Sequence, residues 1–132
     1  MSGPIEPPHS WIKIMQYLSD EFAITSQISL EDIAKLKSEG FATIFCHRPD
    51  REGFFQPAFD ALKERAESLG LAMHYHPVIP GKISDADLAE FESLYAGAPK
   101  PILAFCKSGM RAKVLWEKTR GSAGAESQIC IL

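Results

Sequence analysis

At 132 residues, and at roughly 150 residues per domain, the chain is expected to form one compact unit. An apolar fraction of 45%, 23% charged residues, and nine Gly with nine Pro exclude a disordered or collagen-like chain. Fourteen basic against 17 acidic residues leave a formal charge of −3, so no global field draws the chain to nucleic acid or anionic lipid, and any anion site must be local. No apolar run approaches the roughly 20 residues of a bilayer span. The start MSGPIEPPHS lacks the basic flank and apolar stretch of a signal peptide, so a cytoplasmic protein is expected. Three cysteines, Cys46, Cys106 and Cys130, are an odd number without paired spacing, which argues against a disulfide framework.

The first ten residues read as a loose arm, residues 11–120 as the domain and residues 121–132 as a tail. WIKIMQYL and EFAIT have strand character. Ser29 with Asp32 resembles a capping box, and Leu30, Ile33, Ala34 and Leu36 recur at helical spacing until Gly40. Phe41 to Cys46 is a short apolar run suited to a strand buried on both faces, followed by a polar loop, His47 to Gln56. Phe59, Leu62, Ala66 and Leu69 predict a second helix from Pro57 to Gly70, and Leu71 to His76 a strand. After the Pro77 to Gly81 turn, Ser84, Asp85 and Asp87 predict the start of a helix carrying Leu88, Phe91, Leu94 and Tyr95. Ile102 to Phe105 reads as a buried strand, and a last helix starts near Gly109 and loosens at GSAGAE. Alternating strands and helices joined by short turns predict an α/β fold with a mostly parallel sheet flanked by helices. Ligands bind such sheets at the carboxyl ends of the strands, where the loops after Cys46, Pro77 and Cys106 emerge.

CKSGMR, Cys106 to Arg111, joins a strand to a helix, so the amides of Lys107, Ser108, Gly109 and Met110 can curl around one point that the helix amino end also faces. Those amides and Arg111 favour a thiolate, which makes Cys106 a candidate nucleophile and Arg111 its anion clamp. Gly109 can supply a positive φ, Ser108 is small enough to leave the cup open, and Lys107 is a candidate for steering charge at the rim. The chemistry needs no cofactor or metal. His74 and His76 share a strand face, but no third ligand is spaced to complete a site with them.

A C-x-x-G-x-R loop at a strand end resembles the active-site loops of rhodanese sulfurtransferases and, one residue longer, those of cysteine-dependent phosphatases. Over residues 12 to 118 the chain resembles the phosphatase-like domain of the beta-lactamase-hydrolase-like protein family. The resemblance is carried by QISLEDIAKLKSEGFATI, RPD at Arg48 to Asp50, QP at Gln56 and Pro57, LAMHYHPVIPGKISDADLAEF and PILAFCKSGMRAKVLW. It implies a dual-specificity-phosphatase-like fold with Cys106 as the reactive thiolate, Arg111 as the clamp, and Arg48 and Asp50 bracing the cysteine loop or contacting substrate. An internal salt link between those two is the plainer expectation. Cys46 and His47 stand where the family more often shows Asn, and Arg51 replaces a usual Gly.

The resemblance implies either sulfane-sulfur handling, in association with a persulfide dioxygenase partner, or phosphatase activity. Phosphatases of this mechanism place five residues between Cys and Arg, and here there are four, a smaller ring that suits a persulfide better than a tetrahedral phosphate. The positions of a His before the Cys and a hydroxyl residue after the Arg hold Phe105 and Ala112, and the candidate acids Asp85 and Asp87 are better explained as first-turn helix acids. The main expectation is therefore rhodanese-type transfer from thiosulfate or a persulfide to a thiol acceptor through a Cys106 persulfide. Phosphoester hydrolysis through a Cys106 phosphocysteine and a non-enzymatic anion-binding module are the alternatives. Cys46 could resolve an oxidised Cys106, although a small buried residue is the more economical reading.

Overall fold

The computed structural model describes residues 15–54 and 56–129, with side chains described as far as residue 120. The loose arm expected at residues 1–10 and Cys130 lie outside the described residues. Strands β1 (Gln16–Ser19), β2 (Phe22–Thr25), β3 (Thr43–Cys46), β4 (Ala72–Tyr75) and β5 (Ile102–Phe105) form one sheet in the order β1-β2-β5-β3-β4. Every neighbouring pair is parallel except β1 and β2, which the short Asp20–Glu21 turn joins as an antiparallel hairpin. The fold is α/β, as the alternation of elements predicts.

Helices α1 (Leu30–Ser38) and α2 (Phe59–Ser68) cover one face, burying Ile33, Leu36, Leu62 and Ala66 against Ala23, Ile44 and Leu103. Helices α3 (Asp85–Gly97) and α4 (Met110–Ile129) serve the other, where Phe91 and Leu115 pack on Phe22, Phe45 and Ala104. α4 continues past Gly121, where loosening was expected, to Ile129.

The connection from β2 through α1 to β3 leaves a gap in the sheet that β5 fills, so β5 is flanked by parallel strands on both sides. Thr25, Phe105 and Cys46 stand in register at the carboxyl ends of these three strands. The loop after Phe105 therefore emerges at a topological switch point, the position where open α/β sheets hold ligands.

Candidate active site

Cys106 is the first residue past β5, and α4 begins at Met110, so the cysteine loop is a tight strand-to-helix turn. Gly109 makes it possible. Its φ of +97° is a conformation that side-chain-bearing residues rarely adopt, and an added Cβ would come to 3.4 Å from the Thr25 carbonyl oxygen. In this conformation the Gly109 amide donates to Cys106 Sγ at 3.0 Å, and the Gly109 carbonyl accepts the first helical bond from Lys113. The sulfur therefore meets an orphan donor at the amino end of α4, as the spacing predicts. Lys107, Ser108 and Met110 are exposed around it; the Lys107 carbonyl accepts from the Gln27 amide, and Ser108 Oγ from the Met110 amide. The cup is deeper than expected, because Cys106 itself is 0% exposed.

Arg111, the second residue of α4, is the expected clamp, and it is already gripped. Nη1 and Nη2 donate to Glu52 Oε2 and Oε1 at 2.9 and 2.8 Å, and Nη1 also donates to the Val78 carbonyl at 3.0 Å. That leaves Nε–H and one Nη2–H for the Cys106 sulfur or an anion bound to it. The Glu52 carboxylate foremost, with Cys106 adding, favours the charged guanidinium. Arg111 in turn, with Arg48 contributing, holds the Glu52 carboxyl below the usual carboxylate range.

Glu52 is the member of this candidate site that the sequence alone does not reveal. It lies in the loop after β3, and Arg48 Nε also donates to its Oε1 at 2.9 Å, so one carboxylate joins two buried guanidinium groups. The expected Arg48–Asp50 link is replaced by this one. Arg48 instead pairs with Glu52 and donates to Gln27 Oε1, while Asp50 Oδ1 accepts the Phe59 amide at 2.8 Å and so caps the first turn of α2. Arg48 thus braces the cysteine loop through Glu52, whereas Asp50 shapes the turn. Arg51 has a φ of 64°, which accounts for the usual Gly at this position. A cavity of about 660 Å³ near the site is lined by this loop and includes Glu52, but Cys106 does not border it.

His47 and His76 form a buried pair behind the clamp. His76 Nε2 lies 3.1 Å from the Asp87 carbonyl, so it carries the proton and leaves His76 Nδ1 an acceptor. His47 Nδ1 faces that acceptor at 3.0 Å and the His76 carbonyl at 2.9 Å, so it must be the donor, and His47 Nε2 is a buried acceptor without a partner among the described residues. Burial foremost, with the charges of His76 and Arg111 helping, pushes His47 down to about 3. Cys46 is also buried, its thiol donating to the Arg48 carbonyl at 3.3 Å, and burial pushes it up to about 12. It is a core thiol, not a ready resolving thiolate. Asp87 closes a capping box with Ser84, so its carboxylate is engaged at the start of α3, and Asp85 is exposed beside it. No group of three or more His, Cys, Asp or Glu is placed to hold a metal ion among the described residues.

A family profile described as "Beta-lactamase hydrolase-like protein, phosphatase-like domain" matches residues 14–124. The chain belongs to this family. It is 33% identical over 99 residues to a beta-lactamase hydrolase-like protein of Xylella fastidiosa, covering 75% of this chain but 23% of that protein. The chain thus spans about a quarter of the length of the beta-lactamase hydrolase-like proteins it matches. A crystal structure described as a candidate phosphatase from Neisseria meningitidis is 34% identical, with a TM-score of 0.77, covering 83% of this chain and 78% of its own. Kinase associated phosphatase, with serine in place of its catalytic-site cysteine, shares the fold at a TM-score of 0.56 and 20% identity, over 67% of this chain and 57% of its own. The fold is that of the protein-tyrosine and dual-specificity phosphatases. No helix among the described residues is long and apolar enough to cross a membrane.

Proposed function

We propose that the family member described here is a cysteine-dependent phosphomonoesterase acting on aryl phosphates. The observation that carries this reading is Cys106 at the end of the central strand, with the Gly109 amide on its sulfur and Arg111 held beside it. The Cys106 thiolate attacks phosphorus, the P–O bond to the phenol breaks, and its electrons leave with the phenolate oxygen. Water then attacks the phosphocysteine, returning the thiolate and inorganic phosphate. Arg111 and the loop amides hold the equatorial oxygens as charge builds on them. The phosphatase descriptions of the family profile and of the Neisseria relative support this over the sulfur transfer expected from loop length.

Among the described residues the site supplies no free acid for the leaving oxygen. Glu52 is held ionised by two arginines, and Asp87 is engaged in its cap. Phenols that leave readily as phenolates are therefore the favoured substrates, and alkyl phosphates the poorest. The same feature, with the four-residue spacing between Cys106 and Arg111, favours sulfur transfer as a second reading, since sulfite or a thiolate departs without a proton. Purified protein given p-nitrophenyl phosphate, phenyl phosphate and an alkyl phosphate should release phosphate in that order of rate, and Cys106→Ser should abolish it. Thiosulfate or glutathione persulfide with a thiol acceptor runs in parallel. Cys106-dependent sulfur transfer without phosphate release would replace the first reading by the second.

A further inference from the structure

A cavity of about 360 Å³ lies between the turn after β4 and the beginning of α4, and Arg111 forms part of its wall. Its size is at the lower end of the range for small-molecule sites. Pro80, Ile83, Met110 and Val114 make the wall apolar, and Lys118 supplies a second cation. Among the described residues no carboxylate lines it. Arg111, Val114 and Lys118 recur at i, i+3 and i+7 and so share one face of α4, with about 10 Å of helix rise between the two cations. Met110 is 59% exposed, a large apolar side chain left at the rim where a ligand would cover it. Apolar walls between two positive charges fit a molecule that is apolar in the middle and anionic at both ends.

We propose that this groove receives the leaving group and selects aryl phosphates whose ring carries a short arm ending in a carboxylate. The inference rests on the phosphatase reading. The phosphate sits between Cys106 and Arg111, the ring lies on Ile83, Met110 and Val114, and the distal carboxylate pairs with Lys118. An arm of two or three carbons on a phenyl ring spans the distance between the cations. Lys118 is exposed, so its contribution is a modest, salt-sensitive preference.

The test compares 3-(4-phosphonooxyphenyl)propanoate with its methyl ester, which lacks the distal charge and carries one more methyl group. Affinity is measured by calorimetry on Cys106→Ser, and kcat/KM on the unaltered chain. The acid should be favored about three- to five-fold in both at low salt. Lys118→Glu, introduced into each background, should abolish or invert the ratio. Equal handling of acid and ester, or a preference that survives Lys118→Glu, overturns the groove assignment while turnover keeps the phosphatase reading. Acid-selective binding to Cys106→Ser without turnover of either ester by the unaltered chain overturns the phosphatase reading and keeps the groove.

Discussion

At the scale of single residues, the site turns on what holds Arg111. A free arginine at the start of a helix samples many rotamers, and each substrate would have to pay for ordering it. Here the Glu52 carboxylate grips both terminal nitrogens and is itself fixed by Arg48. Glu52→Gln keeps the shape, removes the charge, and turns one amide hydrogen toward donors. Charge-assisted hydrogen bonds are worth about 1.5–3 kcal/mol, so a loss of about 10- to 100-fold in kcat/KM for p-nitrophenyl phosphate is expected, seen mainly in KM. Glu52→Asp, one methylene short but still charged, should recover part of it. A rise in activity in Glu52→Gln would mean that the carboxylate competes with the substrate anion for Arg111, and the positioning role would be lost. The cysteine loop was legible because its chemistry is local: strand end, cysteine, glycine and arginine follow within six residues. Glu52 was not, because it reaches Arg111 from 59 positions away, and an acidic residue in a polar loop carries no periodic or spacing signal.

At the scale of elements, the punctuation that made the helices legible also has structural work. Ser29 and Asp32, and Ser84 and Asp87, form reciprocal capping boxes at the starts of α1 and α3. The antiparallel β1 was less legible, since apolar pattern alone does not tell a hairpin from a crossover; the two-residue connection is the only sign. For α3 the cap bears on function, because it gives Asp87 a structural use in place of an acid's. Phe91 of α3 sits edge-on to both Phe22 and Phe45, so loosening the first turn of this helix loosens the aromatic core beneath it. Asp87→Asn and Ser84→Ala should each destabilise by about 1 kcal/mol, a drop of roughly 3–5 °C in Tm by scanning calorimetry. The pH profile of kcat/KM for Asp87→Asn should keep its shape. Loss of its basic limb, with Tm unchanged, would instead make Asp87 the missing acid.

For the whole molecule, the buried histidine pair ties folding to pH. His47 and His76 are 0% and 2% exposed, closed in by Phe45, Phe91 and the ends of β3 and β4. Arg111 reaches His47 from α4 and opposes its protonation, while Glu90, 3.9 Å from His76 on α3, partly favours protonation there. Burial dominates both, so the folded chain keeps the pair neutral. An unfolded histidine takes a proton near pH 6.5, whereas folded His47 holds out to about 3, so below pH 6.5 the unfolded state binds more protons than the folded one. The stability of the neutral pair is fully present above that pH and is lost as pH falls, by up to about 1.4 kcal/mol per pH unit for His47. His76 moves in the same direction. Between pH 7.5 and 5 most carboxylates stay ionised, so the histidines can be read separately. The urea midpoint should change little from pH 7.5 to about 6.5 and then fall towards pH 5, and His47→Asn, whose amide can still donate to the His76 carbonyl, should flatten that fall. Equal slopes in the two proteins would show that acid acts elsewhere. If the slope does flatten, the protons that destabilise the chain are those His47 takes up on unfolding, and the folded protein keeps a neutral ring near Arg111 throughout that range.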